Sequence, residues 1–481
     1  MKFNPLYLLT AVMLLSSCAH PLPVQSSGIQ TPSFWGRIIH SNAKSQVDFN
    51  SIVISDDKAL VEQDWWQHFK DTTLNELIKE IVLNNKNLGI ARARVLEAKY
   101  DLGYANADQM PEIDGLVSPS RGYGSSPIYS KPVGLINADF QATWEIDIFG
   151  RNLPRLAQTK TMFQYADASQ QAILVGLLAE LGRDYFDLRD YQEQIDITLR
   201  NLAIQKKTLE LIKAQQKGAM ASDFDVERAS AQTSSTESKL PQLRTSFKLM
   251  LNRINVLLGT VPGTHDDFIK TPQPLASLDQ RIIIAAPATV LANRPDVKAA
   301  ERNFAASISN RQYALKQFFP DITLLSYYGV ERSNHLTATP WSVGLNLVEP
   351  LIDFGRIKAL LNVADAQGQQ AFLNYQETVL EALEDMENDL TSYNNEMVRN
   401  RLLRDSVKQN RKAADLAQQQ FKSGFTGLLD VLVAQGNVLE AESSLADSDS
   451  ALRKDLVNIY TASGGGWDIK GNTRITATAA K

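Results

Sequence analysis

The sequence predicts a mainly α-helical chain with a membrane β-barrel portion, in which long antiparallel helical hairpins join four strands per chain. Three observations predict this. First, the architecture is written twice. Trp144–Phe149 leads into Phe149-Gly150-Arg151, and Leu347–Phe354 leads into Phe354-Gly355-Arg356, 205 residues later. Each tripeptide is followed by a helical stretch ending at a glycine turn, Gly218 and Gly424, 206 apart, and each copy is preceded by a proline, Pro111 and Pro320, 209 apart. Recurrence of several landmarks at nearly one offset marks an internal repeat. Second, segments of two-residue alternation stand before each Phe-Gly-Arg. Third, sustained heptads follow it, far longer than an ordinary domain needs.

The elements follow in order. Residues 1–17 read as a signal peptide: Lys2 is basic and Leu6–Leu15 is apolar but too short to span a bilayer. Leu15-Ser16-Ser17-Cys18 resembles a bacterial lipobox, and Cys18 is the only cysteine, so it is expected to be lipidated and to anchor the chain. Ala19, rather than Asp, follows it, which by analogy with such lipoproteins favours the outer membrane. Residues 18–62 are polar with Pro21, Pro23 and Pro32, an extended tether. Residues 63–110 open the first copy with a helix, Leu74, Leu77, Ile81, Leu88, Ala91 and Val95 falling on one face.

Residues 111–150 hold the first strand pair. In Asn137–Ile148 every even position is apolar and every odd one polar, long enough to cross a membrane, where roughly 9–11 tilted residues suffice. Its polar face carries Asp139, Glu145 and Asp147, candidate barrel-lumen residues that suit cations. Ile113–Ser120 is its partner. Residues 151–258 form the first helical hairpin, with a seam at Leu174, Leu178, Leu181, Tyr185, Leu188, Gln192, Ile195, Leu199 and Leu202 and a return at Val226, Thr233, Leu240, Phe247 and Ile254. A stretch of nearly seventy helical residues would be about 100 Å long. Residues 259–287, rich in Gly and Pro, read as a linker. Then 288–319 reopens the pattern with a helix, 320–354 supplies Ile322–Val330 and a strand through Trp341, Val343, Leu345 and Leu347, and 355–463 forms the second hairpin. Its seam runs through Val379, Leu383, Met386, Leu390, Tyr393 and Met397, its return through Val431, Val438, Leu445, Leu452 and Ile459. Residues 464–481 are a polar tail.

Four strands cannot close a barrel, and an open sheet edge in lipid is prohibitive. The chain must oligomerise: two copies give eight strands, three give twelve. The net charge of −5 gives no argument for nucleic acid, and beyond the first few residues no apolar run is long enough for a spanning helix. The five histidines lack ligand spacing on a helix, and no phosphate loop or nucleophile elbow is present, so no metal, cofactor or catalytic residue is expected.

Specific segments then carry a resemblance. Trp65-Trp66 with Phe69 and Leu74, Asn293-Arg294-Pro295-Asp296-Val297 with Ala300-Glu301, Phe319-Pro320, both Phe-Gly-Arg motifs, and Phe421-Lys422-Ser423-Gly424 with Leu429-Asp430-Val431-Leu432 and Ala434-Gln435 resemble, in order and spacing, the TolC family of outer-membrane efflux lipoproteins serving resistance-nodulation-division pumps. The resemblance implies a homotrimer with one twelve-stranded barrel, a periplasmic helical tunnel, and partnership with a periplasmic adaptor and an inner-membrane pump. It implies passage rather than chemistry. The tunnel's periplasmic end falls at Lys217–Asp223 and Ser423–Gly427, so Gly218, Ala219, Gly424, Phe425, Thr426 and Gly427 are candidate adaptor-docking residues. Asp430 occupies a gate position of the family, with Asp223 and Asp225 as further candidates, whereas Val433 and Thr426 stand where some members carry a second Asp and a basic lock residue. The closed state is then held by packing. Two other functions compete: an exit duct for a secreted protein, and a lipid-anchored coiled-coil structural protein without a pore.

Overall fold

The computed structural model describes residues 26–32, 35, 52–55, 63–122, 133–271, 282–333 and 336–468; Cys18, like the rest of residues 1–25, lies outside them. The chain divides into two compact units. One gathers Met1–Ile29, Arg92–Ser169 and Lys298–Thr378, the other Gln30–Ala91, Gln170–Val297 and Val379–Lys481.

The first unit carries the sheet. β2 (Glu112–Gly122), β3 (Val133–Glu145), β5 (Asp321–Ser333) and β7 (Trp341–Val348) stand in the order β2-β3-β5-β7, every pairing antiparallel, with the short β6 (Thr337–Ala338) beside β5. These are the four expected strands. The alternating segment ends three residues earlier than its pattern, because Asp147 leaves the strand to cap the next helix: it accepts from the backbone N–H of Asn152 at 3.0 Å and of Leu153 at 3.3 Å. A carboxylate at a helix N-terminus satisfies otherwise orphaned donors and meets the positive end of the dipole.

The second unit is helical around a main apolar cluster. α1 (Thr72–Asn84) starts at Asp71, whose carboxylate accepts from Thr73 N–H at 2.9 Å and Leu74 N–H at 3.1 Å. α3 (Asn152–Lys217) and α9 (Arg356–Lys422) are unbroken runs of 66 and 67 residues, and α10 (Leu428–Ala462) has 35. α4 (Asp223–Glu237), α5 (Lys239–Leu257), α6 (Asp266–Lys270) and α7 (Pro287–Asn293) complete the set, while α2 (Lys86–Ala107) and α8 (Pro295–Lys316) lie mostly in the first unit. Trp65, Trp66, Leu74, Ile81, Leu178, Tyr185, Ile254, Met386, Tyr393 and Val457 form the buried centre, with Trp65 stacked on Tyr460 at 6.1 Å. Arg294 ties the Asn-Arg-Pro-Asp motif into it, pairing with Asp296 at 2.7 Å and Asp385 at 2.9 Å and donating to Ala462 O.

Three expectations change. The tether and linker are not wholly irregular: β1 (Ile52–Ser55) pairs in parallel with β4 (Ile282–Ala285), two β-branched runs that favour a strand. The start of the tail is pinned, since Gly466, Trp467 and Asp468 all donate N–H to the Gln63 side-chain oxygen at 3.0–3.1 Å. The α3 seam also drifts beyond Gln192. Leu199 is exposed while Leu202 stays buried, and Gln194, Ile197, Thr198, Asn201, Gln205 and Thr208 are buried beside it. A straight helix has 3.6 residues per turn, so a 3.5-residue seam rotates away from its partner unless the helices supercoil.

Candidate functional site

The register of the sheet sorts its residues into two chemically opposite faces. Phe140 stands opposite Gly115 on β2 and Tyr328 on β5, and Tyr328 stands opposite Trp341 on β7. Because side chains alternate, one face therefore collects Ile113, Val117, Ile136, Phe140, Trp144, Leu324, Tyr328, Val330, Trp341, Val343, Leu345 and Leu347. On β7, where the run is purest, Trp341, Val343, Leu345 and Leu347 are 62–72% exposed. The other face carries Asp114, Ser118, Asn137, Asp139, Gln141, Thr143, Thr323, Glu331 and Asn346, with Leu116, Leu135 and Leu325 set among them. A sheet with its apolar side outward and its polar side less exposed is inverted relative to a water-soluble sandwich, and a contiguous apolar surface of this kind marks contact with lipid or protein.

The three candidate lumen acids occupy different settings. Asp139 lies mid-strand on the polar face, buried, and accepts from Gln141 Nε2 at 3.3 Å. Glu145, the last residue of β3, pairs with Arg151 at 2.7 Å, and Arg151 also binds Asp321 on β5. Asp147 is the helix cap. One of the three thus stays on the polar face of the sheet, and the other two fasten strand to helix.

The second group of candidates lies at the two helix turns. α3 ends in a turn where Met220 N–H donates to Gln215 O at 2.8 Å, and α9 ends in one where Phe425 N–H donates to Gln420 O at 2.9 Å. These are the same six-residue closure. The left-handed residue is Ala219 (φ 56°) in the first and Gly424 (φ 77°) in the second. Gly218 does not supply the positive φ expected of it; the structural repeat here is 205 residues, the Phe-Gly-Arg offset, rather than the 206 that separates the two glycines.

That correction aligns Ser222 with Gly427 and Asp225 with Asp430. Ser222 and Asp225 form a reciprocal capping box at the start of α4, with Asp225 N–H on Ser222 Oγ at 3.2 Å and Ser222 N–H on Asp225 Oδ2 at 3.1 Å. Bonds from the Ser222 hydroxyl and backbone hold the Asp225 carboxyl below the usual range. Gly427 has no side chain to cap with, and the Thr426 hydroxyl instead donates to Asp430. Asp223 accepts from Gln216 Nε2 at 2.6 Å. Ile212, Ala229, Leu428 and Leu432 are buried between the turns, with Phe421 against them. Outside that small core Phe425 is 85%, Met220 77% and Phe224 65% exposed, the last under the Arg228 guanidinium at 5.0 Å.

Sequence reading missed a polar ladder between α3 and α10. Asp187 pairs with Lys454 at 2.6 Å, Gln194 donates to Asp447 at 2.8 Å, Asn201 to Glu442 at 3.1 Å, and Gln435 to Thr208 at 3.0 Å. Arg411 reaches Glu442 from α9 at 2.6 Å. The signal was present: Asp187, Gln194, Asn201 and Thr208 recur every seven residues.

Comparison with known proteins follows the same geometry. The family model described as outer membrane efflux protein matches residues 77–260 and 286–465, one stretch for each copy of the repeat. Nodulation protein T of Rhizobium leguminosarum bv. viciae is 28% identical over 407 residues, covering 84% of each chain. The pyoverdine export outer membrane protein OpmQ of Pseudomonas aeruginosa is 25% identical over 485 residues, 97% of this chain and 98% of its own. Among solved structures, the outer-membrane channel OprN superposes with a TM-score of 0.81 at 29% identity, covering 92% of this chain and all of that one. The Campylobacter jejuni CmeC outer membrane channel shares the fold, with a TM-score of 0.80 at 20% identity over 88% of this chain and 93% of its own.

Proposed function

We infer the mechanism from one premise: the chain belongs to the outer membrane efflux protein family. It is an outer-membrane channel of a tripartite efflux system, with a large periplasmic part, and its work is transport. The finer reading is ours. Three copies share one twelve-stranded barrel, four strands each, and their helical hairpins line a tunnel. A periplasmic adaptor grips the tips, and an inner-membrane resistance-nodulation-division pump delivers small molecules such as drugs, toxic compounds or metabolites. Cys18 carries lipid that holds each chain in the outer membrane.

The observation that carries this reading is the two-faced sheet with β2 and β7 as open edges. Its apolar face fits lipid and its polar face fits a wet lumen, while both unpaired edges demand more strands. At the other end, exposed Met220, Phe224 and Phe425 offer apolar anchors to an adaptor, and the pairing of Thr426 with Asp430 supports a tip held by local capping and packing rather than by an ion-pair lock. Asp430, Asp225 and Asp223 place acid groups there, so cations are favoured on the way through.

Native mass spectrometry of the detergent-solubilised protein, with lipids resolved, tests the assembly. Three chains, each beginning at acylated Cys18, are expected; a monomer or dimer would end the shared-barrel reading. For docking, Phe425→Glu is expected to weaken adaptor capture at least about tenfold while leaving the trimer mass intact. Unchanged capture would move the docking surface elsewhere.

A further inference from the structure

The two hairpins of the sheet are one object drawn twice. In the first, Glu112 stands opposite Thr143; in the second, Asp321 stands opposite Val348. Glu112 and Asp321 are 209 apart, as are Pro111 and Pro320, and Thr143 and Val348 are 205 apart, as are Phe149 and Phe354. The sequence offsets are therefore the offsets of the hydrogen-bond register itself.

Within the chain the hairpins join where β3 pairs with β5, from Leu135 opposite Ser333 to Glu145 opposite Thr323. Two contacts lock the base of this join. The Phe149 ring stacks on Phe319 at 5.5 Å, and Arg151 forms ion pairs with Asp321 on β5 and with Glu145. The free edge at β7 ends in the same residues, Phe354 and Arg356. Phe354 is 98% exposed, and Arg356 has no ion-pair partner within 4 Å among the described residues. At the opposite free edge, β2 begins with the counterparts of Phe319 and Asp321. These are Met110, 68% exposed, and Glu112, exposed and likewise without an ion pair among the described residues.

We propose that a second copy of this chain docks its β2 on β7, with Phe354 seated on Met110 of the neighbouring copy and Arg356 paired with Glu112 of the neighbouring copy. This rests on the shared-barrel reading and adds to it the residues and register of the seam. The same offsets convert Ala142 opposite Ser326 into Leu347 opposite Val117, and both of those lie on the apolar face. A slip by one residue would turn one strand's apolar set towards the polar side, so the register is strongly specified. Met110 replaces a phenyl ring with a thioether, which also packs well on an aromatic face. Pro350 stands where Glu145 would be repeated, so the counterpart of that acid is missing at Arg356, where Asp353 instead lies within electrostatic reach.

The test keeps Cys18 and introduces Met110→Cys with Phe354→Cys, then treats outer membranes with a short bismaleimide. Most chains are expected to migrate as covalently linked copies on a denaturing gel, with either single substitution leaving them separate. A variant that keeps its trimer mass in native mass spectrometry yet does not link overturns the seam while sparing the shared barrel; absence of a trimer overturns both. Charge reversal gives a second route. Arg356→Glu and Glu112→Arg should each lower the assembled fraction on the order of tenfold, because like charges then face one another. Combining them should restore it. Losses that simply add would show that the two side chains do not meet.

Discussion

Ala219 holds a backbone conformation that suits glycine. Its αL geometry costs about 1–2 kcal/mol for a residue with a Cβ, and Gly424 meets the same requirement without that cost. Ala219→Gly is expected to stabilise the first tip by about 1 kcal/mol in denaturant unfolding followed by circular dichroism; a destabilised variant would refute the turn geometry. Titration provides a second residue-scale prediction. Burial, reinforced by Asp385 and Asp455 and opposed by Arg294 and Arg183, pushes the Asp389 carboxyl up to about 7; burial likewise takes Asp184 to about 6 against the pull of Arg253. An unfolded aspartate titrates near ~3.9, so between that pH and the folded values the native chain binds more protons than the unfolded one. Stability contributed by these groups is therefore greatest at acid pH and is lost as pH rises through about 6–7. Asp389→Asn should raise the thermal midpoint at pH 8 by a few degrees, by about a third as much at pH 5, and little below the unfolded value of about 3.9. Equal shifts at both pH values would assign the effect to packing instead.

At the scale of elements, the helices differ along their length. The apolar cluster around Trp65, Tyr185 and Tyr393 is close-packed, whereas the α3–α10 contact towards the tips is a ladder of Gln, Asn, Thr, Asp and Glu. Polar contacts contribute little net stability, and those left incomplete cost some. Both polar atoms of Gln205 are buried without a hydrogen-bond partner among the described residues. Gln205→Leu should then stabilise the chain by about 1–2 kcal/mol. If that region must part for passage, the variant should also lower channel open probability in planar bilayers; a gain in stability with unaltered opening would separate the ladder from gating. The heptad spacing of this ladder was legible in the sequence. Its role was not, because a polar residue every seventh position reads equally well as a solvated stripe until a partner helix is placed over it.

At the scale of the whole molecule, the expected mass of three acylated chains and the seam between them decide whether four strands become a closed wall. The strand count alone called for an oligomer but left two and three copies open. Family membership then supplies the function: the chain matches outer membrane efflux proteins across both copies of its repeat.

The sequence by itself determined the repeat, the long helices, the four strands of the sheet and their two-residue alternation, because periodicity and turn residues act locally and at fixed spacing. Tertiary structure decided what depends on which residues meet across hundreds of positions. It placed the positive φ at Ala219 rather than Gly218, set Asp147 as the cap of α3, and gave Glu145 to Arg151. It paired β1 with β4 and set polar residues among the buried apolar ones along α3 beyond Gln192. A carboxylate on a polar face has the same local signature whether it lines a channel, caps a helix or pairs with an arginine; only its three-dimensional neighbours choose among these.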